Sequence, residues 1–214
     1  LAWDAPGYGR SAHLPMDMPS AQDYAERLWS WLDALYVAQP VLLAGHSLGA
    51  LMVASAARVR PQSVSRLVLL APARGYGDAP LAERERVVQG RLNNLQQLGP
   101  QGMALARGAA MLSPDASPVL LAAVRETMAQ IDPTGYAQAV QMLGQGKLVE
   151  ALKLVRCPVT VASGEADTVT PPAGCDLVAQ ALTSERISLG PVGHACPLEA
   201  APAVNALLDL PTLG

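Results

Sequence analysis

Two hydrophobic patterns alternate along the chain. Short apolar runs at residues 41–44, 64–71 and 158–163 predict buried strands. Residues 20–35 instead place apolar side chains every three or four positions, which predicts an amphipathic helix. Strands that alternate with helices are typical of parallel βαβ units. We therefore expect an α/β fold, with a mostly parallel sheet flanked by helices.

Both ends of the chain extend this pattern. A helix is predicted at residues 171–182, followed by a short strand at 186–189 and a last helix at 199–208. Residues 1–3 are interpreted as the end of another strand, which runs into a tight loop. Because the chain starts without Met inside that strand, we expect an N-terminally truncated fold.

The middle of the chain departs from the α/β pattern. Residues 74–154 are rich in Ala, Leu, Gln and charged residues at helical spacing, with breaks at Gly-Pro, Ser-Pro and Asp-Pro pairs. No strand pattern is found there. We predict a helical lid of about four short helices at 74–154, inserted between two core parts at 1–73 and 155–214.

The predicted strand at 41–44 leads into the pentapeptide Gly-His-Ser-Leu-Gly and then an Ala-rich helix. This arrangement matches the G-x-S-x-G nucleophile elbow, in which a serine stands on a sharp strand-to-helix turn. Gly45 and Gly49 are expected to give the turn room. The N-terminus of the helix directs its free N–H groups towards any anion that forms beside Ser47. Ser47 is therefore the candidate nucleophile.

A serine hydroxyl needs a neighbouring base that accepts its proton. The ring of His46 cannot easily reach the side chain of the next residue, and His13 lies in a proline-rich loop where we expect it to be solvated. His194 follows the last predicted strand. Catalytic groups of open α/β sheets lie at the carboxyl ends of strands, so we predict His194 as the base.

An acid that orients the base is expected after the penultimate strand. Asp167 lies in that loop, and its competitors are Glu165 in the same loop and Asp78 after the preceding strand. The order Ser, Asp, His favours Asp167. The alternative role for Asp167 is turn formation or capping beside Thr170.

Four motifs, in this order, resemble the α/β-hydrolase family. They are Asp-x-Pro-Gly-x-Gly-x-Ser at 4–11, Gly-x-Ser-x-Gly at 45–49, Gly-x-x-Asp-x-x-x-Pro-Pro at 164–172 and Gly-His at 193–194. Together they span nearly the whole chain. Residues 132–137 add a weaker resemblance to the 3-oxoadipate enol-lactonase and carboxylesterase branch.

The resemblance implies a role for each site residue. Ser47 would be the nucleophile, Asp167 and His194 its partners, and the backbone N–H of Leu48 one oxyanion donor. The segment 74–154 would be the lid that shapes the substrate pocket. A second oxyanion donor is expected from a His-Gly segment after the family's third strand, and this sequence contains no such segment. Serine at the elbow argues against the dehalogenase and epoxide-hydrolase branches, which use aspartate there.

Composition limits the partners. The formal net charge is −3 and no Lys/Arg cluster is present, so we expect neither a nucleic-acid nor a membrane partner. The three cysteines form no C-x-x-C motif, which is typical of reduced thiols in a cytoplasmic protein. Residues 7–12 match a dinucleotide-binding pattern, but prolines follow where that site needs a helix. We expect no cofactor and no metal.

These observations predict a serine hydrolase of small carboxylic esters or lactones that works through an acyl-enzyme. Two alternatives stay open. One is a carbon–carbon bond hydrolase with the same three residues, and the other is a ligand-binding relative without turnover.

Overall fold

The described structure, a computed structural model, covers residues 1–210 and contains one four-stranded parallel sheet. Its strands occur in the order β1-β2-β3-β4, and each pairs with its sequence neighbour. They are β1 Val41–His46, β2 Val64–Leu70, β3 Val159–Ser163 and β4 Ile187–Ser188. The α/β fold with a parallel sheet is thus confirmed. Residues 211–214, which the second predicted core part includes, lie outside the described residues.

The predicted strand at residues 1–3 is wrong. These residues have no regular structure and pair with no strand in the described part of the chain. Trp3 instead packs against Trp31 of the first helix, and the centroids of the two rings lie 5.9 Å apart. Its apolar surface is partly buried by ring packing rather than by a sheet.

Nine α-helices lie within residues 1–210, and none is long and apolar enough to cross a membrane. Ser20 caps the first helix through the reciprocal capping box with Asp23. Proline in the first turn starts several others, where its missing N–H costs no hydrogen bond. The helices are α1 Ala21–Ala34, α2 Gly49–Val59, α3 Leu81–Arg107, α4 Pro118–Ala129, α5 Pro133–Gln145, α6 Leu148–Leu152, α7 Pro172–Ala181, α8 Cys196–Glu199 and α9 Ala201–Leu207.

Alternating side chains of β2 fill the core on both faces of the sheet. Leu67 and Leu69 are fully buried on the side covered by α1, α2, α6 and α7. Val68 and Leu70 are buried on the opposite side, against α8 and α9. Since each such side chain contributes about 1.5–3 kcal/mol when fully buried, this strand anchors both layers. The loops at the carboxyl ends of the strands are thereby held in fixed positions.

The helices α3 to α6 occupy the stretch that was predicted as a lid. The predicted break at Gly99 is a kink inside α3, where Gly99 takes φ +61° directly before Pro100. Leu148 and Leu152 of α6 are buried in the main core beside α2. The last helix of this stretch therefore packs as a core helix, and the boundary of the lid stays a prediction.

Two glycines join the first loop to helix α5. Gly7 has φ +79°, and a Cβ on it would lie 2.5 Å from the Cα of Gly135. A Cβ on Gly135 would lie 2.2 Å from the carbonyl oxygen of Gly7. Backbone meets backbone here, so neither residue can carry a side chain without displacement of the other segment.

We expect Gly135→Ala to lower the free energy of unfolding by about 1–3 kcal/mol, because the new methyl group overpacks a backbone contact. The matched control is Gly90→Ala in α3, where an added Cβ meets no atom within 4 Å. That change should stabilise the chain by about 0.5–1 kcal/mol, since alanine favours the helix. Urea denaturation of both variants measures the difference, and equal free energies for the two would contradict the contact.

Candidate active site

Ser47 occupies a strained turn between β1 and α2. Its φ of +51° lies in the left-handed region, which is unfavourable for a residue with a side chain. Backbone hydrogen bonds hold it there: Ser47 N–H donates to Leu70 O at 2.9 Å, and Ala73 N–H donates to Ser47 O at 3.0 Å. A Cβ on Gly45 would lie 2.6 Å from the Gly49 carbonyl oxygen, whereas a Cβ on Gly49 would meet no atom within 4 Å. The expected need for a small neighbour therefore holds at Gly45 and is wrong at Gly49.

A cavity of about 600 Å³ opens beside this turn, and both Ser47 and Leu48 line it. The N–H of Leu48 is bonded to no backbone acceptor among residues 1–210. It precedes the first residue of α2, where the positive end of the helix dipole lies. A free donor thus stands next to the Ser47 hydroxyl.

Asp167 and His194 form a buried hydrogen-bonded pair. The distance between His194 Nδ1 and Asp167 Oδ2 is 2.9 Å, and the two residues are only 4% and 3% exposed. The Asp167 carboxylate also accepts hydrogen bonds from Val169 N–H and Thr170 N–H at 2.8 and 2.9 Å. Burial alone would raise the pKa of Asp167, but the bonds from His194 and Thr170 outweigh it and hold that pKa below its ordinary value.

Thr170 is a site residue that the motifs did not single out. Its hydroxyl lies 2.8 Å from Asp167 Oδ2, 3.0 Å from Ala71 O and 3.1 Å from His194 Nδ1. Thr170 therefore connects the loop that carries Asp167 to the end of β2 and to His194. The signals in the sequence were its position within the Asp-bearing motif and the turn or cap that Asp167 could form beside it.

The two competing acids are engaged elsewhere. Glu165 pairs with Arg186 at 3.0 Å. Asp78 pairs with Lys147 at 3.1 Å, with more than half of its side chain exposed. Of the three candidates, Asp167 is the one whose carboxylate bonds to His194.

The other two histidines have different environments. His46 Nε2 donates to the backbone oxygen of His194 at 2.8 Å, and the two ring centroids lie 4.8 Å apart. Burial and the nearby His194 ring lower the pKa of His46 to about 4. His13 is exposed, and its Nδ1 contacts the backbone oxygen of Leu14.

The third contact of the predicted triad is absent. No hydrogen bond joins the Ser47 hydroxyl to His194 in the described part of the chain, and His194 Nε2 is likewise without one. Catalytic hydrogen bonds are often long in ligand-free enzymes and tighten on substrate binding. The roles of Ser47, Asp167, His194 and Leu48 therefore stay predictions.

Aromatic and aliphatic side chains complete the cavity wall. Tyr8 comes from the first loop, and Tyr136, Val140 and Leu143 come from α5. Burial of the phenol group, together with the nearby Tyr136, raises the pKa of Tyr8 to about 12, although the residue as a whole is 38% exposed. The wall therefore combines apolar and aromatic side chains with charged ones, because the cavity is also lined by Arg74, Asp78, Glu83 and Arg91. No group of three or more His, Cys, Asp or Glu side chains within residues 1–210 could hold a metal ion.

The chain is similar to several known proteins. A curated relative, the (E)-2-((N-methylformamido)methylene)succinate hydrolase of Acinetobacter baylyi, is 28% identical over 169 residues, or 78% of this chain. The match spans 62% of that relative's length.

Two solved structures share the fold. A thermophilic esterase from Thermogutta terrifontis superposes with a TM-score of 0.84 at 19% identity, covering 96% of this chain and 76% of the esterase. The enol-lactonase from Burkholderia xenovorans LB400 gives a TM-score of 0.83 at 22% identity, covering 96% of this chain and 77% of the lactonase.

The family described as serine aminopeptidase, S33 (Hydrolase_4) matches residues 1–191, which is most of the chain. Together with the parallel sheet and the serine turn after β1, this match identifies the fold and the family. The chain belongs to this serine aminopeptidase S33 family and has the α/β-hydrolase fold.

Proposed function

We propose that this chain hydrolyses small carboxylic esters or lactones through an acyl-enzyme on Ser47. The observation that carries the proposal is the 2.9 Å bond between His194 Nδ1 and Asp167 Oδ2. A ring that donates through Nδ1 to a carboxylate keeps Nε2 as its basic nitrogen. Nε2 is the atom that would accept the serine proton.

In the first half-reaction, the Ser47 oxygen attacks the carbonyl carbon and its proton passes to His194 Nε2. The tetrahedral intermediate collapses, the bond to the leaving alcohol breaks, and the alcohol takes that proton. Water then attacks the acyl carbon and gives a proton to His194, the bond from that carbon to the Ser47 oxygen breaks, and Ser47 takes the proton back as the acid leaves. For a lactone, the acid and the alcohol remain in one molecule.

Charge that develops on the carbonyl oxygen needs a donor beside Ser47. The unpaired N–H of Leu48 lines the same cavity and lies at the start of α2, which supports its role as an oxyanion donor. Such donors are effective because they are fixed before the reaction begins.

The relatives' names support the reaction class. They describe an (E)-2-((N-methylformamido)methylene)succinate hydrolase, an esterase and an enol-lactonase. Two alternatives remain: cleavage of a carbon–carbon bond, and ligand binding without turnover. A panel of substrates distinguishes both from ester or lactone cleavage.

We expect Ser47→Ala to abolish turnover of a panel of short aryl esters and lactones while the chain still folds. The panel should also contain a vinylogous diketone and an aminoacyl anilide, which report carbon–carbon and peptide-type cleavage. The matched control is Ser30→Ala, an exposed serine on α1 whose hydroxyl bonds only to its own helix. Initial rates measured by product absorbance should fall at least about 10³-fold for the first variant alone.

Three outcomes would contradict the proposal. Ser47→Ala could keep its esterase rate, the diketone or the anilide could be the only compound cleaved, or the chain could bind esters without cleaving them. Circular dichroism of Ser47→Ala excludes misfolding as the cause of a lost rate.

The neighbouring His46 is a poor candidate for the base. Its Nε2 is already committed to the backbone oxygen of His194, and its pKa is about 4. We therefore assign it a role in stability. An unfolded histidine titrates near ~6.5, so between pH ~4 and ~6.5 the unfolded chain binds more protons at this position than the folded chain.

The free energy of unfolding should therefore fall as the pH drops from ~6.5 towards ~4. The contribution of His46 to this fall is about 3 kcal/mol, because each unit of pKa difference between the folded and unfolded states corresponds to about 1.4 kcal/mol. His46→Gln keeps an N–H donor but does not titrate, and it should flatten this part of the curve. Asp167 has a lowered pKa, so its stabilising effect is lost only below the ordinary carboxylate range, about pH 4. Urea denaturation between pH 4 and 7 tests this, and identical slopes for parent and variant would refute it.

A further inference from the structure

The carboxylate of Glu199, the last residue of α8, connects two segments of the chain. One is the loop that carries His194, and the other is residues 108–113, which precede α4. Glu199 Oε2 accepts a hydrogen bond from Gly193 N–H at 2.8 Å. The same carboxylate accepts from the backbone N–H of Ser113 at 3.1 and 3.2 Å and from the Ser113 hydroxyl. One carboxylate therefore bridges two segments that lie about eighty residues apart in the chain. Bonds to a charged acceptor are roughly twice as strong as neutral ones.

The two segments touch through their backbones as well. A Cβ on Gly193 would lie 2.4 Å from the carbonyl carbon of Leu112 and 2.6 Å from Ser113 N. On the other side of the histidine, Ala195 N–H donates to Met111 O at 2.7 Å. The residues before and after His194 are thus both fixed by partners outside their own loop.

His194 is also held from the side of the nucleophile. His46, the residue before Ser47, donates to the backbone oxygen of His194 at 2.8 Å. The position of the base relative to the serine then depends on two anchors. One comes from β1, and the other comes from residues 108–113 through Glu199.

We propose that Glu199 is a positioning residue that couples residues 108–113 to the catalytic geometry of His194. This inference rests on the proposed function, because it assigns His194 as the base. Glu199 contacts no residue of the Asp167–His194 bond directly and acts through Gly193 N–H. Residues 108–113, which belong to the predicted lid, are consequently a fixed support of the base.

The test compares Glu199→Gln and Ser113→Ala with Glu126→Gln, an exposed glutamate of α4. Glutamine keeps the volume of the side chain but replaces one acceptor oxygen with an amide N–H₂ group. That group cannot accept a hydrogen bond from Gly193 N–H or Ser113 N–H. With a short aryl ester, Glu199→Gln should lower kcat by about 10- to 100-fold while KM changes less than about twofold, since a displaced base slows chemistry without altering binding. Ser113→Ala removes one of the donors and should have a smaller effect. Glu126→Gln should behave like the parent.

The double variant of Glu199 and Ser113 distinguishes coupling from two separate effects. Because both side chains belong to one contact, the double variant should lose no more kcat than Glu199→Gln alone. A purely structural role predicts a lower melting temperature with unchanged kcat below it, and that result would overturn the proposal. The proposal would also be overturned if the loss of kcat in the double variant equalled the product of the losses in the two single variants. If Glu199→Gln does not fold, the milder Ser113→Ala is used instead. A lower kcat at nearly unchanged KM then supports the proposal, and an unchanged kcat overturns it.

Failure of the proposed function has a different signature. In that case the parent chain itself neither cleaves esters nor reacts with a fluorophosphonate at Ser47. The coupling is then read from amide hydrogen exchange at Ala195, whose N–H is bonded to Met111 and not to Glu199. Faster exchange there in Glu199→Gln supports release of the loop, and an unchanged exchange rate overturns the positioning role.

Discussion

The buried hydrogen bond between Asp167 and His194 is the constraint on which the rest of the site depends. A carboxylate whose side chain is fully buried loses its hydration, and that cost is large unless donors replace the water. Here the donors are the imidazole, the Val169 and Thr170 N–H groups and the Thr170 hydroxyl. The pKa of Asp167 stays low for this reason, so the acid remains charged beside the His194 ring.

The parallel sheet explains how these groups come together. Ser47 follows β1, the Asp167 loop follows β3, and the His194 loop follows β4, so all three lie at the carboxyl edge of one sheet. The buried strand β2 carries no predicted site residue but supplies the supports. Leu70 accepts the Ser47 N–H, and the carbonyl oxygen after this strand contacts Thr170. Packing of β2 on both faces therefore stabilises the site as well as the core.

Much of the fold could be predicted, and the candidate site residues could be chosen, because the signals are local. Apolar runs located the strands, and the pentapeptide around Ser47 needs only five consecutive residues. The supports escaped prediction because their partners are distant: Thr170 contacts Ala71, and Glu199 contacts Ser113. No periodicity or spacing relates such positions before the chain is folded. The strand predicted at residues 1–3 failed because an apolar run does not specify which surface will cover it.

The most direct test of this account is the site and rate of reaction with a fluorophosphonate. The account predicts one adduct per chain, mapped by peptide mass spectrometry to Ser47. It also predicts that His194→Gln and Asp167→Asn slow this reaction by orders of magnitude while the chain stays folded. An adduct on another residue, or a labelling rate that these two changes leave intact, would contradict the central claim that the buried pair activates the serine.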